Sequence, residues 1–108
     1  MWVFLNDAFL SIVAHRDKSD MLLVRARRKG DIEAVFTGFK ARRTPGHDYP
    51  YRAVLQRTVV AEKVLERVLT MNYANFKGSV SDPDRHEAYF GVWARMREYQ
   101  LAGESEPS

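Results

Sequence analysis

Runs of apolar residues separated by turn residues fill the first half of the chain. In residues 21–27, Leu22, Val24 and Ala26 alternate with the side chains of a second face, which is the pattern of a strand with one buried face. Short clusters of Asn, Asp and Ser between the runs favour hairpin turns. The pattern therefore predicts five strands, over residues 2–5, 8–15, 21–27, 39–43 and 51–57.

Apolar residues at a spacing of three to four predict helices between and after these strands. A short helix is expected over residues 32–36, where Asp31 would cap the first turn or complement the helix dipole. A second helix is predicted from an N-cap at Thr58 to about Thr70. Residues 72–80 fit either a loop or a single helical turn.

The last helix has the clearest start signal in the chain. Asp82 is a good N-cap residue, and Pro83 is favoured at the first helical position, so the helix should begin there, run to about Gln100 and be terminated by Gly103. Its apolar stripe consists of Tyr89, Val92, Trp93, Met96 and Tyr99. We expect Trp93, at the centre of the stripe, to be buried against the sheet, whereas Phe90 lies off the stripe and is a candidate contact residue.

The resulting order is β-β-β-α-β-β-α-α. Hairpin spacings and short connections favour an α+β fold, with an antiparallel sheet of about five strands and helices packed on one face. A length of 108 residues predicts a single domain, over residues 1–101. The small, acidic residues 102–108 are expected to form a disordered tail.

Composition excludes several classes of protein. The hydrophobic content of 45% is typical of a folded globule, and the absence of cysteine excludes disulfides, thiolate metal ligands and a cysteine nucleophile. The longest apolar runs are about five residues, far below the ~20 that a membrane helix needs. No secretory signal follows Met1, so the sequence predicts a cytoplasmic protein.

Positive charge is concentrated in the middle of the chain. Residues 25–57 contain nine Lys or Arg and three acidic residues, a net charge of +6, so the rest of the chain contributes −3 to the total of +3. Such asymmetry favours an acidic partner, although arginines that merely solvate the outer face of a sheet would give the same pattern. The candidate partner-binding residues are Arg25, Arg27, Arg42, Arg43, Tyr49, Tyr51 and Arg52.

Catalytic chemistry has little support in the sequence. His15, His47 and His86 would form a site only if the fold brought them together with residues such as Asp17 or Asp48. No HxxxH, HxH or HExxH spacing is present, and no nucleophile motif or phosphate-binding glycine run is found. We therefore predict no catalytic residues, no metal and no cofactor, with a small His/Asp enzyme as the last alternative.

Nucleic acid is the main alternative to a protein partner. Arginines on neighbouring strands, with tyrosines nearby, could bind a phosphate backbone and stack on bases. The sequence contains no RNP-type aromatic motif, helix-turn-helix pattern or KH loop, so charge alone carries this hypothesis.

Four segments resemble a family of short, uncharacterised proteins of bacteria and their phages. They are LLVRAR from Leu22, DYPYR from Asp48, NFK from Asn75 and RHEAYFGVW from Arg85. The resemblance implies no activity and no catalytic residues. By analogy of size and source, small proteins of mobile elements are often inhibitors of host defence, such as anti-CRISPR proteins, so we expect a protein that blocks a bacterial protein or nucleoprotein complex sterically. Such a protein would be non-enzymatic, would bind an acidic protein surface and would be a monomer or homodimer.

Overall fold

A computed structural model describes residues 1–104, which fall into two compact units. The first unit covers Met1–Asn72 and the second begins at Tyr73. The predicted disordered tail began at residue 102, but residues 102–104 are helical. Residues 105–108, which complete the predicted tail, lie outside the described residues.

The first unit contains a five-stranded antiparallel sheet, as the sequence predicted. The strands are β1 (Trp2–Phe4), β2 (Phe9–Ala14), β3 (Met21–Ala26), β4 (Arg42–Arg43) and β5 (Tyr51–Gln56). Their order across the sheet is β1-β2-β3-β5-β4, so β5 lies between β3 and the edge strand β4. Strand β4 is shorter than the predicted strand over residues 39–43, because only Arg42 and Arg43 pair with β5.

Two helices of the first unit, α1 (Asp31–Val35) and α2 (Arg57–Leu69), pack on the same face of this sheet. The alternation of residues along β2, β3 and β5 places Leu10, Ile12, Val24, Ala26 and Leu55 on that face. The buried core of the unit consists of Ala8, Leu10, Ile12, Val24, Ala26, Ile32, Val35, Phe36, Leu55 and Val60. The predicted α+β fold, with helices on one face of an antiparallel sheet, is confirmed for this unit.

Asp31 connects α1 to the sheet. Its side chain is only 5% exposed, and Oδ2 accepts a hydrogen bond from the backbone N–H of Phe9 at 3.0 Å. The helix has no side-chain cap hydrogen bond, so the capping alternative for Asp31 is wrong, whereas its position in the first turn agrees with the other alternative, in which its charge complements the helix dipole. Since the bond reaches the first residue of β2, Asp31 also fixes the position of α1 on the sheet.

Two arginines anchor α2 at its ends. Arg57 follows β5 without a loop, and its guanidinium donates to the carbonyl of Ser19 at 3.1 and 3.2 Å. Near the other end, Arg67 makes two bonds to the carboxylate of Asp7, at 2.8 and 3.0 Å. The predicted N-cap, Thr58, lies inside the helix, because the N-cap is Gln56 and the helix begins two residues earlier than expected.

The second unit consists of the single turn α3 (Phe76–Ser79) and the long helix α4 (Pro83–Glu104). The predicted N-cap of α4 is confirmed, since Oδ2 of Asp82 accepts from the N–H of Arg85 at 3.1 Å. The rings of Phe76 and Tyr89 stack with centroids 5.7 Å apart. None of the described helices combines the length and the apolar character that crossing a lipid bilayer requires.

The expected burial of Trp93 is wrong. Trp93 is 46% exposed and Met96, one turn further along α4, is 58% exposed. Within the second unit, α3 is a single turn and its contact with Tyr89 covers only the beginning of the apolar stripe. A periodic stripe indicates that a helix has an apolar face, but it does not indicate how many turns of that face pack against another element.

The bond between Asp31 and β2 generates a stability prediction. Asp31→Ala should lower the free energy of unfolding by about 1–3 kcal/mol, because it leaves the partly buried N–H of Phe9 without its acceptor. Urea unfolding followed by circular dichroism measures the change. Asp17→Ala, at an exposed turn position, is the control and should change stability by less than about 0.5 kcal/mol. Equal stability of both variants would contradict the anchoring role of Asp31.

Candidate binding site on the second face of the sheet

The second face, defined here as the sheet face opposite the core, has one row of residues that crosses all five strands. Strand register pairs Trp2 with Ser11, Ser11 with Arg25, Arg25 with Arg52, and Arg52 with Arg42. Directly paired residues of an antiparallel sheet point to the same face. The neighbours of Ser11 and Arg25 along their strands are core residues, so this row lies on the second face.

Three of these residues, Arg25, Arg52 and Arg42, form what we call the arginine row. They occupy adjacent positions on β3, β5 and β4. Side chains at directly paired positions have Cβ atoms about 4.5–5.5 Å apart, and like charges placed there destabilise the sheet. The row therefore concentrates positive charge, and a compensating partner for any of its guanidiniums would stabilise the sheet.

Arg25 finds partners on the sheet and in the following loop. Its Nη2 donates to the hydroxyl of the buried Ser11 at 2.7 Å, and its guanidinium lies 4.6 Å from the centroid of the Tyr49 ring. The guanidinium of Arg27 lies 4.3 Å from the same centroid. Tyr49 is buried, and its ring contacts both guanidiniums. These cation–π contacts help to hold the two arginine side chains in place.

Arg27 and Arg52 also hold the loop of residues 44–50. Nη1 of Arg27 donates to the carbonyl of Asp48 at 2.9 Å, and Nε of Arg52 donates to the carbonyl of Tyr49 at 3.1 Å. Nη2 of Arg52 also lies 3.8 Å from the Asp48 carboxylate. Arg27 and Arg52, which belong to the basic region of the sequence, therefore bind the protein's own loop.

Arg42 differs from the other two members of the row. Within the described residues, the side chains of Arg42 and the nearby Lys40 form no hydrogen bond or ion pair, and both are exposed. Arg43 is exposed as well, but its register partner is Tyr51, which packs against the core, so Arg43 points away from the second face. The available charge on the second face is therefore at Lys40 and Arg42.

A depression of about 440 Å³ lies beside these two cations, and we call it the basic depression. Its lining includes Leu23, Phe39, Lys40, Arg42, Arg52 and Val54. Phe39 and Val54 are both exposed, so apolar surface lies directly beside unpaired positive charge. Such a surface suits a ligand that presents a carboxylate or phosphate next to an apolar group.

An aromatic cluster lies at the other end of the second face. Phe4 pairs with Phe9 in the register, and their ring centroids are 4.7 Å apart. Trp2 packs edge-on against Phe9 at 6.1 Å and is 64% exposed. The sequence analysis did not select these residues, although the spacing of two between Trp2 and Phe4 places both on one side of a strand.

The histidines have no common site in the described structure. Nδ1 of His15 accepts from the N–H groups of Asp17 and Lys18, each at 3.1 Å, and so stabilises the turn between β2 and β3. His47 is exposed in the loop after β4, and His86 lies in the first turns of α4. Among residues 1–104, no group of three or more His, Asp or Glu side chains is arranged to hold a metal ion.

Comparison of the chain with protein-family models, curated proteins and solved structures gives no match. The function is therefore inferred from the residues of the second face.

The two roles of the arginines generate a second prediction. Arg52→Ala should loosen the loop of residues 44–50, because it removes the bond to the carbonyl of Tyr49 and the nearby charge on Asp48. The N–H of Thr44, which donates to the carbonyl of Pro50, reports on the loop. Its hydrogen exchange should become about tenfold faster, corresponding to ~1.4 kcal/mol.

Arg42→Ala is the matched control for this measurement, since Arg42 lies on the adjacent strand and its side chain has no bond to the loop. Exchange at Thr44 should be unchanged in that variant. Faster exchange in both variants would show that the loop depends on the total charge of the row and not on the bonds of Arg52.

Proposed function

We propose that this chain is a non-enzymatic binding protein that covers an acidic surface of a partner protein with the second face of its sheet. The observation that carries the proposal is the arginine row, in which three cations are paired side by side and the outermost, Arg42, has no counterion among the described residues. An incoming carboxylate would relieve the repulsion within the row.

The basic depression supports a protein partner because it combines charge with apolar surface. Exposed ion pairs alone contribute only about 0–1 kcal/mol. A carboxylate that enters beside Phe39 and Val54 would be partly removed from water, which strengthens its attraction to Arg42. The exposed Lys40 would mainly accelerate association, and the buried contacts would set the residence time.

Steric blocking is the mode of action that this binding chemistry would permit. A partner surface covered by the second face would be closed to its own ligands, without any chemical step. In keeping with the resemblance of the four segments, the proposed targets are acidic surfaces of bacterial proteins or nucleoprotein complexes, as for inhibitors of anti-CRISPR type.

Single-stranded nucleic acid is a second candidate, and the aromatic cluster favours it. Trp2 lies in the same cross-strand row as Arg25 and Arg42, so bases could stack on its indole while the guanidiniums contact phosphates. Only Trp2 is largely exposed, however, since Phe4 and Phe9 pack against each other. One stacking platform gives weaker support than the basic depression gives to a protein partner.

Charge reversal at the free cations tests the proposed function. The double variant Lys40→Glu/Arg42→Glu should lose capture of an acidic protein from a bacterial lysate, measured by affinity purification and mass spectrometry. It should remain folded, because neither side chain has a structural bond in the described residues. Arg25, Arg27 and Arg52 are unsuitable for reversal, since they hold the loop and the row.

The control variant is Arg16→Glu/Lys18→Glu, which makes the same change in charge at the exposed turn between β2 and β3. It should retain the partner. If both double variants lose the partner equally, the interaction depends only on the net charge of the protein. If both retain it equally, the partner binds elsewhere on the protein.

Salt dependence and Trp2 distinguish the two candidate partners. Binding of labelled oligothymidylate or oligouridylate should be weak, but if it occurs it should fall steeply with salt because each phosphate contact releases counterions. Trp2→Ala should then cost about 1–3 kcal/mol of binding free energy. Tight oligonucleotide binding that depends on Trp2 would favour nucleic acid over the protein partner.

A further inference from the structure

A second row of side chains runs beside the arginine row on the second face. Val13 pairs with Leu23, and Leu23 pairs with Val54. Leu23 and Val54 lie two residues from Arg25 and Arg52 along β3 and β5, so they point to the same face at a distance of about 6.6–6.8 Å from the arginine row. We call Val13, Leu23 and Val54 the apolar row. The second face therefore carries a charged row and an apolar row side by side.

Both rows are accessible at the basic depression. Val54 is 43% exposed, and Phe39, which lines the depression together with Leu23 and Val54, is 41% exposed. The exposed cations Lys40 and Arg42 line the same depression. An element that covers this corner of the sheet would therefore remove apolar surface from water and neutralise charge at the same time.

The described part of the chain does not supply the acid that would pair with Lys40 and Arg42. Within residues 1–104, neither side chain forms a hydrogen bond or ion pair. Residues 105–108 contain a single acidic residue and no apolar residue larger than proline, so they cannot match both rows. The complementary surface therefore belongs to another molecule.

The edge strand β4 offers little backbone for pairing with an extended partner. The N–H of Thr44 donates to the carbonyl of Pro50, and hydrogen-bonded pairs alternate along an antiparallel ladder, so Arg42 directs its backbone groups toward β5. The N–H of Ala41, just before β4, already donates to the carboxylate of Glu33 at 3.2 Å. Since β4 is two residues long, at most one of its residues directs its backbone outward. A partner of this corner therefore binds through its side chains.

The spacing of the arginines matches that of acidic residues on a helix. The Cβ atoms of directly paired residues such as Arg42 and Arg52 are about 4.5–5.5 Å apart. Residues i and i+4 of a helix have a similar Cβ separation of about 5–6 Å, whereas residues i and i+2 of an extended segment are about 6.6–6.8 Å apart. Two carboxylates one helical turn apart can therefore face two paired arginines at once.

The two parallel rows match two neighbouring stripes of one helix. Consecutive positions of an α-helix point about 100° apart, so acidic residues at i and i+4 and apolar residues at i+1 and i+5 form adjacent stripes. In a helix that crosses the strands, one stripe faces the arginine row and the other faces the apolar row. The rows together extend from β2 to β4, which is three strand spacings of about 4.7–4.9 Å. A helix of about ten residues spans that distance.

From these features we infer that the basic depression binds an amphipathic helix of the partner protein, whose acidic stripe lies on the arginine row and whose adjacent apolar stripe lies on the apolar row. One carboxylate pairs with Arg42 and Lys40, and the next approaches Arg52. An apolar side chain of the helix packs against Phe39 and Val54. This inference rests on the proposed function, to which it adds the chemistry and the conformation of the recognised segment.

Fluorescence anisotropy with two labelled peptides of about 15 residues tests this inference, since shorter isolated helices are rarely stable. The matched peptide has Glu at i and i+4 and Leu at i+1 and i+5. In the shifted peptide the Leu residues are at i+2 and i+6, on the side of the helix opposite the Glu residues, so composition and charge are unchanged. The matched peptide should bind at least about tenfold more tightly. Equal affinities, or no binding of the matched peptide up to ~1 mM, would overturn the inference.

Two valine substitutions test the contribution of the apolar row. Val54→Thr introduces a hydroxyl with little change in shape, and it should weaken binding of the matched peptide at least about fivefold because the hydroxyl loses water without gaining a partner. Val68→Thr, at an exposed position of α2, is the control and should leave the affinity unchanged. Circular dichroism should show that both variants are folded. The same affinity for both variants would contradict the role of the apolar row.

The peptide titration does not use the lysate, so failure of this inference and failure of the proposed function can be distinguished. If Lys40→Glu/Arg42→Glu abolishes protein capture but the wild-type chain binds neither peptide, the proposed function stands and the helical segment is wrong. If the wild-type chain captures no protein but binds the matched peptide selectively, the depression recognises the helix and the proposed function fails. Tighter binding of oligothymidylate than of the matched peptide at the same salt concentration would assign the surface to nucleic acid and overturn the inference.

Discussion

The pairing between β3 and β5 is the constraint on which the rest of the first unit depends. All six residues of each strand are paired, from Met21 with Gln56 to Ala26 with Tyr51. This register places Val24 beside Ala53 on the core face and Arg25 beside Arg52 on the second face. A shift of one residue would bring arginines toward α1 and α2, so burial of the core and assembly of the arginine row are consequences of the same register.

Two of the three arginines in the row, Arg25 and Arg52, have partners that compensate their charge. Arg25 uses a hydroxyl and an aromatic ring, and Arg52 uses a backbone carbonyl and a nearby carboxylate. These partners belong to β2 and to the loop after β4, and within the described residues none of them reaches the side chain of Arg42. The charge of the row that has no partner among the described residues therefore lies at the β4 edge, beside the basic depression.

Strand and helix periods in the sequence were sufficient to predict the sheet and two of its packed helices. The alternation of Leu22, Val24 and Ala26 correctly identified the core face, because a strand has only two faces and one of them must be covered. The role of Asp31 was not predictable, since its partner Phe9 is distant in the sequence. The prediction that Trp93 is buried was wrong for a related reason. An apolar stripe identifies one face of a helix, but it does not show how much of that face another element covers.

The sequence was sufficient to predict which residues supply the charge of the candidate site, but not the contacts that these residues make. The concentration of arginines in residues 25–57 was evident, and Arg25, Arg42 and Arg52 do fall in one row. Sequence gave no means of knowing that Tyr49 would be buried under two guanidiniums, because this depends on the path of the loop. Phe39 and Val54 were assigned to strands, but their shared depression requires the tertiary position of β4.

The shortness of β4 affects how the protein behaves in a crowded solution. An edge strand with unpaired backbone groups is a template on which other chains can add strands and aggregate. Here β4 is only two residues long, and both residues are arginines whose exposed side chains repel a second basic edge. Strand addition at β4 is thus discouraged by its two arginines, one of which, Arg42, also belongs to the arginine row.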